Sequence, residues 1–498
     1  MKILLIYPSV TVYGPSSIEG HFPMGLAYIA ATLEKEHKVI VLDALAEGGC
    51  KIKKFKDTSR AGLSDAKIRE VVRRAKPDVV GISMMFTAFA DDGYRVAKLV
   101  KGVNRKIVTV VGGAHVSIDP KAVLNDGKSI DYAIKGEGEI TIIELLNNLG
   151  KKDNLKNIDG LTYRENKKII QNKNRTLVKD LDIFPFPARH LFKTKLYNIG
   201  NKFAMRYPVF PIVSSRGCPN HCLYCSVNSI WGNSWRGRSP KNVVDEIEFL
   251  MKEYGAKEIS FLDDSMSLDR ERMNGICNEL LKRKVKIKWT TPNGIAHWTL
   301  DKEILRKMKK AGCYRITFGI ESGNLEIRKW VGKPFSLDQA KELTQYANKI
   351  GMWTLSTNII GFPYETRSQI DDTVNYAINS DVDLALFFRL SPKPGTPIYE
   401  IFKNEGWLIH NKNKLFSELV ACQTQNFKSE ELLDIQNESY KKFIKSRIIR
   451  FMNPLRLMNK IKSFEDFIYV SRLGFAGFQL VLNLLTAEKG VTSKTLRV

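Results

Sequence analysis

Cys218-Pro-Asn-His-Cys222-Leu-Tyr-Cys225 places three thiols on one short run of chain. Thiolates are soft ligands that hold zinc or iron–sulfur clusters. Three cysteines so close together bind three irons of a cubane and leave the fourth iron open to another ligand. A tetrahedral zinc site wants a fourth donor, and His221 stands within the run. The residues alone leave both metals open. The remaining cysteines, at 50, 277, 313 and 422, are scattered. Seven in 498 residues, an odd and sparse count, is no disulfide framework and points to a reducing compartment.

The elements around the thiols read as strand–helix alternation. VFPIVSSRG runs directly into Cys218, and KEISFLDD, KIKWTTPNG, RITFGIES, WTLSTNIIG and DLALFFRLSPKPG follow as strands. Helical segments at 242–254, 270–283, 301–311, 337–349 and 367–378 separate them. Six such repeats predict a barrel or part-barrel, with chemistry at the carboxyl ends of the strands. Upstream, MKILLIYP, KVIVLDAL, PDVVGISMMF, IVTVVGGAH and DYAIKGEGE alternate with helices. That pattern predicts a doubly wound parallel sheet whose ligand lies at the strand ends, where Gly112, Gly113, Gly136 and Gly138 fall. The expected divisions are 1–150 for this domain, 151–207 for a Lys/Asn-rich connector with a small hairpin, 208–410 for the barrel and 411–498 for a helical, basic tail.

Composition limits the classes. A hydrophobic content of 43% with 26% charged residues excludes a disordered or collagen-like chain. Lys+Arg 78 against Asp+Glu 53 gives +25, which attracts anions but is also the ordinary coat of a Lys-rich enzyme. No basic–aromatic cluster suggests a specific nucleic-acid partner. No signal peptide is evident and no apolar run is long enough to span a bilayer, so a cytoplasmic protein is expected.

The Cys-x3-Cys-x2-Cys spacing, with Tyr224 before the last cysteine, resembles the radical S-adenosylmethionine (SAM) enzymes. The resemblance implies that Cys218, Cys222 and Cys225 ligate a [4Fe–4S] cluster whose open iron chelates SAM. Electron transfer into the sulfonium then gives methionine and a 5′-deoxyadenosyl radical, with the electron from a reductant such as flavodoxin or ferredoxin. Further segments match in order. Asp263 and Asp264 stand where the family carries Gly-Gly-Glu for the SAM amino group, a departure from its pattern. Glu321-Ser322 resembles the ribose and carboxylate motif, and the segment Ile359–Thr366, with Gly361, resembles the adenine-contacting one. Tyr224 joins this SAM set. No acid, base or nucleophile is singled out.

The N-terminal half extends the resemblance. Pro23-Met24-Gly25, Gly112-Gly113-Ala114-His115 and Gly136-Glu137-Gly138 look like the cobalamin-binding domain of one radical SAM subclass. That implies a cobalamin site on Gly112, Gly113, His115, Gly136 and Glu137. The Asp-x-His-x-x-Gly pattern, whose His ligates cobalt, is missing: none of the seven His has Asp two positions before it. The resemblance spans roughly residues 1–400 and reaches the class B methylases and the anaerobic porphyrin-ring cyclases. It implies cobalamin-dependent C-methylation of an unactivated carbon. The alternatives are oxidation or cyclisation without methyl transfer, and, remotely, a zinc nucleic-acid-binding protein.

Beyond residue 440, Phe443, Ile444, Ile448, Phe451 and Met452 recur at helical spacing between Lys442, Lys445, Arg447 and Arg450. Leu473–Ala487 is an uncharged run. Such a stretch either packs on the barrel or lies in a membrane interface. The membrane alternative predicts peripheral contact and a large hydrophobic or lipid-like small-molecule substrate.

Overall fold

In the computed structural model, residues 1–12, 20–49, 52–54, 59–198, 203–333, 335–409, 422–451 and 457–486 are described. Cys50, His410, Met452 and Ala487 lie outside them. The chain forms two compact units, the first built on Met1–Gly200 and the second on residues from Asn201 onward.

The first unit holds strands β1 (Lys2–Tyr7), β2 (Lys38–Asp43), β3 (Val79–Ser83), β4 (Val108–Gly112) and β5 (Tyr132–Ile134), followed by β6 (Leu161–Glu165) and β7 (Lys168–Gln171). Their order is β7-β6-β5-β4-β3-β1-β2, with the five strands β1 to β5 parallel and β6 and β7 antiparallel. Side chains alternate across a strand. Leu4 and Ile6 therefore enter one core with Val72, Val96 and Val100, and Ile3 and Leu5 enter another with Leu26, Leu145 and Leu146. Both faces are buried by helices, as the doubly wound reading requires. The hairpin expected in the connector is present, and it extends this sheet instead of standing apart.

The second unit contains β8 (Val209–Ile212), β9 (Glu258–Phe261), β10 (Lys288–Ile295), β11 (Cys313–Glu321), β12 (Trp353–Ile360) and β13 (Leu384–Arg389). They pair in sequential order and all in parallel, forming an open six-stranded sheet. Helices at Pro240–Tyr254, Arg270–Lys282, Lys302–Lys310, Leu337–Lys349 and Arg367–Asn379 intervene. Each begins where a side chain can accept the first orphan amides: Ser239, Asp269, Asp301, Ser336 and Thr366 cap them. Sequential parallel strands with intervening helices are the connectivity of a β/α part-barrel. All strand ends that carry candidate residues lie at one edge of this sheet.

The last helices are α1 (Ser429–Phe451) and α2 (Phe464–Thr486). Phe443 is buried with Tyr440 against Phe387 and Val374, and Ile444 packs beside them. Phe451, Leu457, Val470 and Leu473 pack on Tyr314, Trp353 and Tyr469. The apolar stripe of α1 thus faces the β/α unit, and Ile448 is its exposed exception. No helix among the described residues is long and apolar enough to cross a membrane.

Candidate functional site

The cysteine loop leaves β8 under tight restraint. Fully buried Ser214 and Ser215 each donate a hydroxyl to Asp263, at 2.7 and 2.5 Å, and the Ser214 amide adds a third bond at 3.2 Å. Arg272 clamps the Ser214 carbonyl from the other side at 2.6 Å. Asp264 then accepts the Gly217 amide at 3.0 Å, where Gly217 takes φ +88°. The adjacent acids therefore do different things: Asp263 is spent inward on the strand end, whereas Asp264 is exposed beside the loop.

Cys218, Cys222 and Cys225 are all free and half-buried. The Cys225 amide donates to the Cys222 carbonyl at 3.0 Å, which curls the loop, and Asn228 ties down Asn220 at 2.7 Å. A second segment, Val331–Gly332, seats on it. Leu223 N donates to Val331 O at 3.0 Å, and a Cβ on Gly332 would stand 2.9 Å from the His221 carbonyl. Gly332 also adopts φ +78°, so position and conformation both require glycine. Burial pushes all three thiols up, Cys222 to about 11, while the Lys333 ammonium pulls each of them down. Such thiols deprotonate by trading a proton for a metal. Among the described residues no three His, Cys, Asp or Glu side chains converge to hold a single ion. One cysteine per iron is the donor arrangement of a cluster, and these three soft donors on one half-buried loop fit that group.

Tyr224 turns into an apolar cluster with Leu223, Val331, Phe362 and Ile398, its ring 6.1 Å from Phe362. Glu321, at the end of β11, has φ +65°, a strained value for a residue with a side chain. It pairs with Lys333 at 2.8 Å, both side chains nearly buried. A Cβ on Gly319 would lie 2.8 Å from the Glu321 carboxylate and 2.9 Å from the Lys333 ammonium, so this glycine makes room for the pair. Ser322 is fully buried and bonds Thr373 at 3.2 Å and Asn324 N at 3.1 Å, an internal role in the turn.

Gly361 ends β12 with φ +84°, and its amide donates to Glu365 at 2.8 Å. Glu365 also accepts the Phe362 amide at 3.2 Å, while its second oxygen, Oε1, is buried without a partner. Desolvation lifts this carboxyl from the ordinary 4.5 to about 8. The folded chain therefore holds a proton here at neutral pH that the unfolded chain releases. The stability from this group is complete below about pH 4.5 and is lost as pH rises through 8. Glu365→Gln should flatten the decline of Tm between pH 6 and 9, measured by calorimetry; an unchanged slope would contradict this.

In the first unit the strand-end candidates gather on neighbouring strands. Gly113, φ +120°, could not carry a side chain, since its Cβ would meet the Met84 carbonyl at 2.7 Å. Gly136, φ +73°, opens onto empty space, and Gly25 and Gly112 have no heavy atom closer than 3.9 Å to an added Cβ. Ser117 links the two loops, donating to Gly113 O and accepting Gly136 N, both at 2.9 Å. His115 Nδ1 lies 3.1 Å from the Thr87 hydroxyl, and the Glu137 carboxylate accepts the Val178 amide at 3.1 Å. The cradle of bare backbone fits a broad flat ligand such as a corrin.

Lys333 and Arg272 are residues that no spacing in the sequence announces: Lys333 matters through Glu321 and the cysteine loop, and Arg272 through the Ser214 carbonyl. Glu365 lies within the segment 359–366, and its bonds to Gly361 and Phe362 close that turn.

The sequence profile of the Radical SAM superfamily matches residues 212–377, and that of the B12 binding domain matches residues 16–146. An uncharacterized methyltransferase of Pyrococcus horikoshii is 32% identical over 477 residues, which cover 94% of this chain and 96% of that protein. Cytidylyl-2-hydroxyethylphosphonate methyltransferase of Streptomyces wedmorensis is 32% identical over 443 residues, 82% of each chain. The structure of OxsB, a cobalamin-dependent SAM radical enzyme with aqua-cobalamin and SAM bound, superposes with a TM-score of 0.67 at 16% identity, covering 97% of this chain and 72% of that one. Two domain matches in the order the fold displays them, together with full-length similarity, place this chain in the cobalamin-dependent radical SAM methyltransferase family, as an enzyme whose cofactors are a [4Fe–4S] cluster, SAM and cobalamin.

Proposed function

We propose that the enzyme transfers a methyl group to an unactivated carbon of a small-molecule substrate, with Cys218, Cys222 and Cys225 holding the cluster. The observation that carries this reading is the restrained, half-buried cysteine loop beside the Glu321–Lys333 pair, at the strand ends of the second unit. When bound, cluster and SAM supply a radical able to take hydrogen from a carbon with no polar activation, and cobalamin supplies a methyl carrier. The chain's own residues position these groups. Asp263 and Arg272 fix the strand end from which the loop springs. Asp264 and Glu321 offer carboxylates to the amino and hydroxyl groups of SAM, while Tyr224 and Gly361 shape its apolar side. Ser322 holds the turn that follows Glu321. Gly112, Gly113, His115, Gly136 and Glu137 form the cobalamin platform. An electron carrier such as flavodoxin or ferredoxin feeds the cluster. The test is product mass after turnover with SAM bearing a labelled methyl group: a labelled methyl gained supports methylation, and a loss of hydrogens without label would replace it by oxidation or cyclisation.

A second reading concerns where substrate is met. Phe464, Phe467, Ile468 and Phe475 on α2 are exposed, Phe464 by 76% and Phe475 by 62%. Four large apolar side chains on the exposed face of one helix, in a chain with net charge +25, favour peripheral contact with an anionic bilayer and a hydrophobic substrate taken from it. Replacing Phe464, Phe467 and Phe475 by Ser should abolish flotation with anionic liposomes at low salt and leave cluster content unchanged. Wild-type protein that ignores such liposomes would end this reading.

A further inference from the structure

We propose that Lys333 is a positioning residue for electron transfer: its fixed ammonium, carried on a segment seated on the cysteine loop, raises the reduction potential of the cluster held there. The inference rests on the assignment of Cys218, Cys222 and Cys225 as cluster ligands, and goes beyond it to what sets the electron's driving force.

Lys333 follows Gly332, whose backbone is pressed onto the loop: its carbonyl stands 3.9 Å from the Cys222 sulfur, and any side chain there would strike the His221 carbonyl. A second tether, Leu223 N to Val331 O at 3.0 Å, fixes the same segment. The Lys333 side chain is only 12% exposed and is held by Glu321 at 2.8 Å. The space for that pair exists because position 319 has no Cβ. The cation is thus placed by covalent neighbours, by a carboxylate and by a glycine, and not left to solvent.

Charge follows from this placement. Lys333 acts on all three cysteines, whereas Asp264 acts on Cys218 and Cys225, Glu321 on Cys222 and Lys393 on Cys225. Reducing a thiolate-bound cluster adds one electron to a site that is already negative. A cation held nearby with little water favours the reduced form, and net charge is one of the levers that set such potentials. Lys329, four residues earlier and exposed, is screened by solvent and should have little influence.

The experiment is a redox titration of the anaerobically reconstituted full chain, with dithionite as reductant and the EPR signal of the reduced cluster as readout. Iron is measured on every sample. Lys333→Met should lower the midpoint so that the reduced-to-oxidised ratio at a fixed potential falls about tenfold, equal to about 59 mV for one electron. Lys333→Arg should keep the wild-type midpoint, and so should Lys329→Met. A midpoint does not depend on occupancy, so partial iron loss in Lys333→Met leaves the comparison valid. An unchanged midpoint in Lys333→Met, or an equal fall in Lys329→Met, overturns the proposal. Iron-free wild-type protein would instead overturn the cysteine assignment itself.

Discussion

Replacing Cys218, Cys222 and Cys225 together by Ala should take the iron content from about four atoms per chain to background and abolish reductive cleavage of SAM. The loss is expected to be complete because each thiolate would hold a different iron, so no remaining donor would complete the set. His221 is exposed, and among the described residues no group of three His, Cys, Asp or Glu side chains gathers to hold an ion in their place. The fold should survive. The three side chains are half-buried, and the loop is held by other bonds: Asp263 on Ser214 and Ser215, Asp264 on Gly217, and Val331 on Leu223. Melting within a few degrees of wild type, both proteins apo, would accompany the loss of iron. A triple variant that retains iron and cleaves SAM would move the cluster elsewhere.

The second large effect lies far from the thiols. Lys460, just before α2, donates to Asp383 beside the start of β13, and both side chains are essentially sealed from water. Asp383 also accepts the Thr354 amide at 2.8 Å, and Lys460 reaches Asn348 at 2.8 Å and lies 4.6 Å from the Trp353 ring. Breaking such a pair from one side strands a buried charge and costs about 3–5 kcal/mol. Lys460→Met should therefore destabilise the protein by that amount, a fall in Tm on the order of 10 °C. The double variant Lys460→Met/Asp383→Asn should recover part of it, since neither charge is then left alone. A loss under about 1 kcal/mol in urea unfolding would mean that the carboxyl-terminal helices are an appendage. A chain cut after residue 437 would lose core packing together with the exposed face of α2, so it would not isolate a membrane role. Tyr440, Phe443 and Tyr469 would leave the core.

Much of this was legible because it is local. Continuous apolar runs such as KILLIY, buried on both faces, mark the strands that form. The cysteine spacing and its place after a strand located the loop. What was not legible depends on contacts across long stretches of chain. Asp263 and Asp264 are neighbours of identical type, yet one is consumed by Ser214 and Ser215 and the other is exposed beside Gly217, a division that only the third dimension makes. Lys333 resembles any surface lysine until Gly319 is seen to make space for it and Gly332 to seat its backbone on the cysteine loop. Helical periodicity in the tail identified an apolar stripe but not what covers it. On α1 the stripe meets Phe387 and Val374; on α2 Phe464 and Phe475 are exposed.

One chain is expected to couple a sulfur-ligated cluster to a corrinoid for methyl transfer. This coupling is tested most directly by giving anaerobically reconstituted protein a strong reductant, cobalamin and SAM with a labelled methyl group, and quantifying every SAM-derived product. Two outcomes are expected from the same sample: 5′-deoxyadenosine with methionine, and S-adenosylhomocysteine with label recovered on the corrinoid. Iron-loaded protein that yields 5′-deoxyadenosine but neither S-adenosylhomocysteine nor labelled corrinoid would contradict this coupling.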